Sequence, residues 1–185
     1  QVEHVKEGEL VGALRFSGKG AHVVIPAPRE VELGGDDFTI TTWVKTTTNG
    51  GLLAKGGLDR WERHEKQSYI CDGRPAYVGN ACGFLKGSAV VTDGNWHHVA
   101  VTYGWEKGRR AGRQEIYVDG KCVTSLQNFT GRPDPPDATE LRIGWGHSGD
   151  CQKTDFSGLL DEFMIFNRCL SGPQVQKLYE TLGGK

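Results

Sequence analysis

Through most of the chain, apolar and polar residues alternate in short runs broken by Gly, Asp and Asn. A period of two predicts strands rather than helices. Residues 13–16 and 21–25 flank Ser17-Gly18-Lys19-Gly20 and read as a hairpin. Residues 38–44 are rich in β-branched and aromatic side chains, with Phe38, Ile40 and Val44 on one parity. A short strand is expected over 51–55. A second hairpin runs through 68–71 and 75–79 around Asp72-Gly73-Arg74. Residues 96–103 place Val99 and Val101 on one side. A third hairpin joins 114–118 to 121–124 through Asp119-Gly120, a dipeptide suited to positive φ. Residues 141–144 and 159–166 supply the last strands. Only the tail has helical spacing. Ser171 is the N-cap, Pro173 suits the first turn, Val175, Leu178, Tyr179 and Leu182 share a face, and Gly183-Gly184 stops it. Ten to twelve short strands and one terminal helix predict an all-β fold, a two-sheet antiparallel sandwich over residues 1–185 as one domain.

Composition narrows the function. Lys and Arg number 22 against 23 Asp and Glu, a net charge of −1. A nucleic-acid binder would carry a basic excess or stripe. No apolar run approaches the roughly 20 residues of a membrane-spanning helix, so no membrane insertion is expected. No charged-then-apolar leader opens the sequence, so no signal peptide is expected within these residues. The 27 glycines fit frequent tight turns. The five cysteines, Cys71, Cys82, Cys122, Cys151 and Cys169, form no Cys-x-x-Cys pair, which argues against a zinc ribbon or a thioredoxin-like site. Cys122 and Cys169 read as small buried residues. A disulfide among Cys71, Cys82 and Cys151 would require an oxidising compartment.

The run 93–103, Asp-Gly-Asn-Trp-His-His-Val-Ala-Val-Thr-Tyr, resembles the signature of laminin-G-like domains in the concanavalin A-like lectin/glucanase superfamily. Residues 13–18, 38–45, 116–121 and 156–162 agree with that family in the same order. The resemblance implies a jelly roll of two curved sheets, an extracellular, periplasmic or cell-surface setting, and framework roles for Trp43, Trp96 and His97. It also implies a structural calcium ion between Asp161 and the N-terminal turns. Asp161 shares parity with Phe163 and Ile165 and is expected to face the core, where an unpaired carboxylate is costly. The expected ligand set is Asp161 with Ser17, Gly18 and Asp36, since calcium takes carboxylates and carbonyls. The alternative is that Asp161 pairs with an Arg or caps backbone N–H groups.

A glycosidase needs two carboxylates across one sugar bond. The superfamily's Glu-x-Asp-x-x-Glu pattern is absent, and adjacent Asp161 and Glu162 diverge on a strand. His97 and His98 diverge likewise. No nucleophile elbow or phosphate-cradling loop occurs. A glycan-binding module needs less: aromatic faces and a few polar groups. With Ile70 and Val78 read as core-facing, Tyr69 and Tyr77 point outward together. Asp72, Arg74 and Asn80 lie at the neighbouring loops. Arg142, Gly144 and Gly146 share the outward parity of the next strand, the glycines clearing space. Trp145 and His147 continue into the loop holding Cys151, and a Cys82–Cys151 bridge would pin the two loops together. The leading expectation is a non-catalytic glycan-binding module of a larger secreted or surface protein. A protein-interaction or adhesion domain and a polysaccharide hydrolase or lyase are the alternatives.

Overall fold

The computed structural model describes residues 1–6, 12–26, 31, 33–56, 65–79, 83–106, 108, 111–129, 139–146, 151 and 155–183. Two antiparallel sheets face each other. The seven-stranded sheet runs in the order β1 (Val2–Val5), β2 (Ala13–Ser17), β13 (Ser157–Phe166), β4 (Phe38–Lys45), β9 (Trp96–Glu106), β10 (Ala111–Val118) and β11 (Lys121–Phe129). The six-stranded sheet runs β3 (Val23–Ile25), β12 (Leu141–Ile143), β5 (Gly50–Lys55), β6 (Lys66–Cys71), β7 (Arg74–Val78) and β8 (Phe84–Lys86). Among the described residues one helix, α1 (Gly172–Thr181), follows the last strand.

Two of the three expected hairpins form. Asp72-Gly73 joins β6 to β7, and Asp119-Gly120 joins β10 to β11. In both turns the two residues have φ between 50° and 74°. Paired positive φ is the twist that two-residue turns need to match right-handed strands. The first expected hairpin does not form. β2 pairs with β1 and β13 in one sheet, and β3 pairs with β12 in the other. The turn between them crosses from sheet to sheet, with the Gly18 N–H donating to the Phe156 carbonyl at 3.0 Å.

The core lies between the sheets. Phe16, Val44 and Val99 of the larger sheet meet Leu52, Ile70 and Ile143 of the smaller. Tyr77 belongs to a second part of this core, with its ring against Phe38, and has no exposed surface. The helix packs on the outer face of the seven-stranded sheet, with Val175 against Ala100 and Tyr117 and with Tyr179 against Trp43. Gln174 Oε1 accepts the Ser171 N–H at the helix start. Beneath this helix His98 is completely buried, its ring edge-on to Trp43. The adjacent His97 turns the other way. Its Nδ1 lies 2.8 Å from Asp119 Oδ2 and its Nε2 3.1 Å from Asp93 Oδ1, clipping the β10–β11 turn to the loop before β9.

Gly144 has φ +81°, and a Cβ there would run into the Phe16 ring. It therefore makes room inside the core rather than space above the sheet. Gly144→Ala is expected to cost about 2 kcal/mol, overpacking plus left-handed strain. Gly20→Ala, at φ +78° with open space around it, should show the backbone cost of about 1 kcal/mol alone. Urea unfolding of the two variants checks the difference.

Candidate functional site

One continuous row of residues crosses the outer face of the six-stranded sheet. The strand registers align Val24, Arg142, Ala54, Gln67, Val78 and Phe84 side by side. Leu141 and Ile143 on either side of Arg142 point into the core, so Arg142 points out. Val24 and Phe84, at the two ends of the row, are each 43 % exposed. At about 4.8 Å per strand, Arg142 and Phe84 stand roughly 19 Å apart.

Arg142 is held in place from two directions. Its Nε bonds Glu140 Oε1, and its guanidinium lies 4.8 Å from the centre of the Trp145 ring. Trp145 is half-buried and forms an isolated bridge with Asp155, so the two ends of the 145–155 segment are joined. Trp145 and Gly146 pass over the sheet at Gly51, where any side chain would collide with their backbone. Further along, the Tyr69 ring lies 6.1 Å from that of Phe84. Gln67 is buried between these aromatic groups. Its Nε2 donates to Glu65 Oε2, while its Oε1 has no hydrogen-bond partner. The row thus combines aromatic faces with a fixed guanidinium.

The structure brings together only part of the expected binding set. Arg142 and Trp145 touch, and Tyr69 lies on the same outer face, though only 3 % exposed beneath its neighbours. Tyr77 is corrected: it faces the core, because Ser68 and Tyr77 are cross-strand partners on the inner side and Val78 takes the outer one. Asp72 and Arg74 sit at the far tip of the β6–β7 hairpin. Asp72 Oδ2 accepts from Lys86 Nζ at 2.9 Å, a pairing that holds its carboxyl below the usual range. Arg74 Nε donates to the Ser88 carbonyl. Asn80 and His147 lie outside the described residues. Phe84 was not legible from the sequence, since a three-residue strand carries too little alternation to fix its parity.

The disulfide joins Cys71 to Cys151, not Cys82 to Cys151; Cys82 itself lies outside the described residues. Cys71 is at the end of β6 and packs with Tyr69, Ala76 and Cys151 on the outer face. The bridge therefore staples the segment that follows Trp145 onto the sheet. Cys122 is exposed on the edge strand β11 and Cys169 is partly buried, so the reading of both as buried holds for neither in full.

The proposed calcium ligands do not form one shell. A β-bulge at Glu162, φ +47°, shifts the register so that Asp161 pairs with Trp43 on the outer, helix-covered side of its sheet. Its Oδ1 accepts the Glu162 N–H at 2.9 Å. Capping the bulge is the backbone role that stood as the alternative. Ser17 pairs with Ser157, four residues and about 13 Å along β13 from Asp161. Asp36 lies beyond the opposite end of β4, roughly 30 Å from the Lys45 end. Calcium–oxygen distances are about 2.3–2.6 Å, so these residues do not fit one ion.

A family model described as the concanavalin A-like lectin/glucanases superfamily matches residues 17–176. Pentraxin-related protein PTX3 of Mus musculus is 26% identical over 150 residues, which is 76% of this chain. The chain spans 38% of that relative's length. The native heptameric SAP-like pentraxin from Limulus polyphemus superposes with a TM-score of 0.65 at 16% identity, covering 89% of this chain and 80% of the other. The CBM40 of the Ruminococcus gnavus IT-sialidase, solved bound to alpha2,3 sialyllactose, gives 0.64 at 15% identity, covering 90% and 96%. The two structural likenesses establish a shared sandwich. With the family match running from the end of β2 into α1, the chain belongs to the laminin-G-like family of the concanavalin A-like lectin/glucanases superfamily.

Proposed function

We propose that this chain is a non-catalytic, extracellular carbohydrate-binding module, and that an extended glycan lies along the outer row of the six-stranded sheet. The Arg142–Trp145 pair carries this reading, a guanidinium held against an indole on the sheet face opposite the helix. An indole face packs against the C–H side of a sugar ring while the guanidinium bonds its hydroxyls. Phe84 over Tyr69 supplies a second aromatic platform at the other end of the row. A span of roughly 19 Å suits an oligosaccharide rather than one sugar. The sialyllactose-bound module of the same fold supports the ligand class, and the Cys71–Cys151 bridge supports the oxidising setting.

Trp145→Ala and Phe84→Ala are each expected to weaken glycan binding at least about tenfold, the scale of a buried aromatic anchor. Binding to a glycan array, followed by calorimetry on the hits, checks this. Absence of binding to any glycan, or unchanged affinity in both variants, overturns the reading.

A further inference from the structure

We infer that α1 is an acid-released clasp: protonation of His98 frees the helix from the seven-stranded sheet as a unit, while the sandwich beneath stays folded. The layer between helix and sheet is short of hydrogen bonds. The registers set Trp43 opposite His98 and Thr41 opposite Ala100, and Val175 of α1 packs on Ala100 and Tyr117. Thr41, Trp43 and His98 are all buried here, and the Thr41 hydroxyl, Trp43 Nε1 and both ring nitrogens of His98 have no hydrogen-bond partner. These groups regain hydrogen bonds, from water, when the helix lifts. The apolar grip that opposes lifting is small. Within α1, Val175 alone is buried, with Leu178 partly buried beside it. Tyr179 covers Trp43 and His98 at ring-centre distances of 5.6 and 6.1 Å. Ten residues fall short of the roughly 12–15 at which an isolated helix becomes even marginal in water. The helix also has no acidic residue in its first turn and no basic residue in its last to favour its dipole. Undocked, it unwinds, so docking and helix formation are one event.

A charge on His98 enters a layer whose acidic groups are already engaged. From the β10–β11 turn, Asp119 Oδ1 accepts the His98 backbone N–H and its Oδ2 faces His97 Nδ1. On β10, Tyr117 donates to Glu115 Oε2. On β13, Asp161 stands opposite Trp43 and its Oδ1 accepts the Glu162 N–H. On β4, Lys45 lies two residues beyond Trp43 with its ammonium against the Trp96 ring. On β11, Cys122 is in register with Tyr117. On α1, Tyr179 faces the imidazole, while Lys177 and Glu180 are exposed. Burial accordingly keeps the docked imidazole neutral well below its ordinary range, with the charge of Asp119 offsetting part of the effect. Once α1 lifts, the imidazole meets water and takes up its proton readily. Acid therefore draws the equilibrium towards the open form.

Native-state hydrogen exchange followed by NMR at pH 6.5, 5 and 4 tests this, with rates corrected for the intrinsic effect of pH. The amides of residues 175–182 should share one opening with little urea dependence. Its population should rise about a hundredfold from pH 6.5 to 4, the ratio set by the difference in proton affinity between the open and docked imidazole. The amides of β4 and β10 should exchange only through a rarer opening with steep urea dependence. His98→Phe should abolish the pH dependence at α1. Val175→Ala, which leaves His98 in place, should raise the α1 opening at every pH and keep the wild-type slope. Exchange of α1 through the same opening as β4 and β10 overturns the proposal. So does wild-type α1 protection that is constant with pH, or a wild-type slope retained in His98→Phe.

Discussion

Replacing both Cys71 and Cys151 by Ala should lower the unfolding free energy by about 4 kcal/mol. The two sulfurs close a loop across a sequence separation of 80 residues. Cross-linking a loop of that size removes about 4 kcal/mol of chain entropy from the unfolded ensemble at 25 °C. For a domain of this size the melting temperature should fall by roughly 10 °C. The loss is not spread evenly. Cys151 anchors the segment that follows Trp145, and Cys71 packs beside Tyr69 under the same face. Glycan affinity should therefore fall in the bridge-free chain even at temperatures where it remains folded. Differential scanning calorimetry with and without reductant checks the stability, and calorimetric titration checks the affinity. An unchanged melting temperature would show that the bridge constrains nothing the packing does not already fix.

Acidification from pH 6.5 to 4 should remove about 3 kcal/mol of stability through His98 alone. Burial beneath α1 pushes its imidazole down from 6.5 to about 4, partly offset by the charge of Asp119. Neither ring nitrogen has a hydrogen-bond partner. Above pH 6.5 the ring is neutral in both the folded and unfolded chain, so it contributes no pH dependence. As pH falls below 6.5 the unfolded chain binds a proton that the folded one refuses, and stability drops until about pH 4. At about 1.4 kcal/mol per tenfold in proton affinity, the total is about 3 kcal/mol. His97 has the opposite sign. Hydrogen bonding to Asp119 raises its proton affinity, so its contribution is complete below 6.5 and fades as pH rises through its folded value. The two neighbours thus act in different windows. His98→Phe should remain flat between pH 6.5 and 4 where the wild-type chain declines. Urea midpoints across that range measure it, and parallel curves for the two proteins would remove His98 as the cause.

The divergence of His97 and His98 was legible in the sequence, since consecutive strand residues face opposite sides. Which side meets a helix and which meets Asp119 was not, because that depends on where the chain returns 20 to 80 residues later. Tyr69 and Tyr77 show the same limit. Alternation places residues on two faces, but it does not name the buried one when both faces are covered. Here β6 is buried along its whole length, so the apolar pattern carried no polarity to read. At Asp161 a single bulge reversed the parity, moving the carboxylate from the expected core side to the side under the helix.

By itself the sequence determined the strand periodicity, the two Asp-Gly hairpins, the capped terminal helix and the sandwich. These depend on neighbours a few residues apart, where turn geometry and side-chain alternation act directly. Only the tertiary structure decided which cysteines meet and that Gly144 serves the Phe16 ring. It alone set Arg142 and Phe84 in one row. Each of these joins strands distant in the chain, and their register is set by the packing of two sheets, which no local pattern encodes.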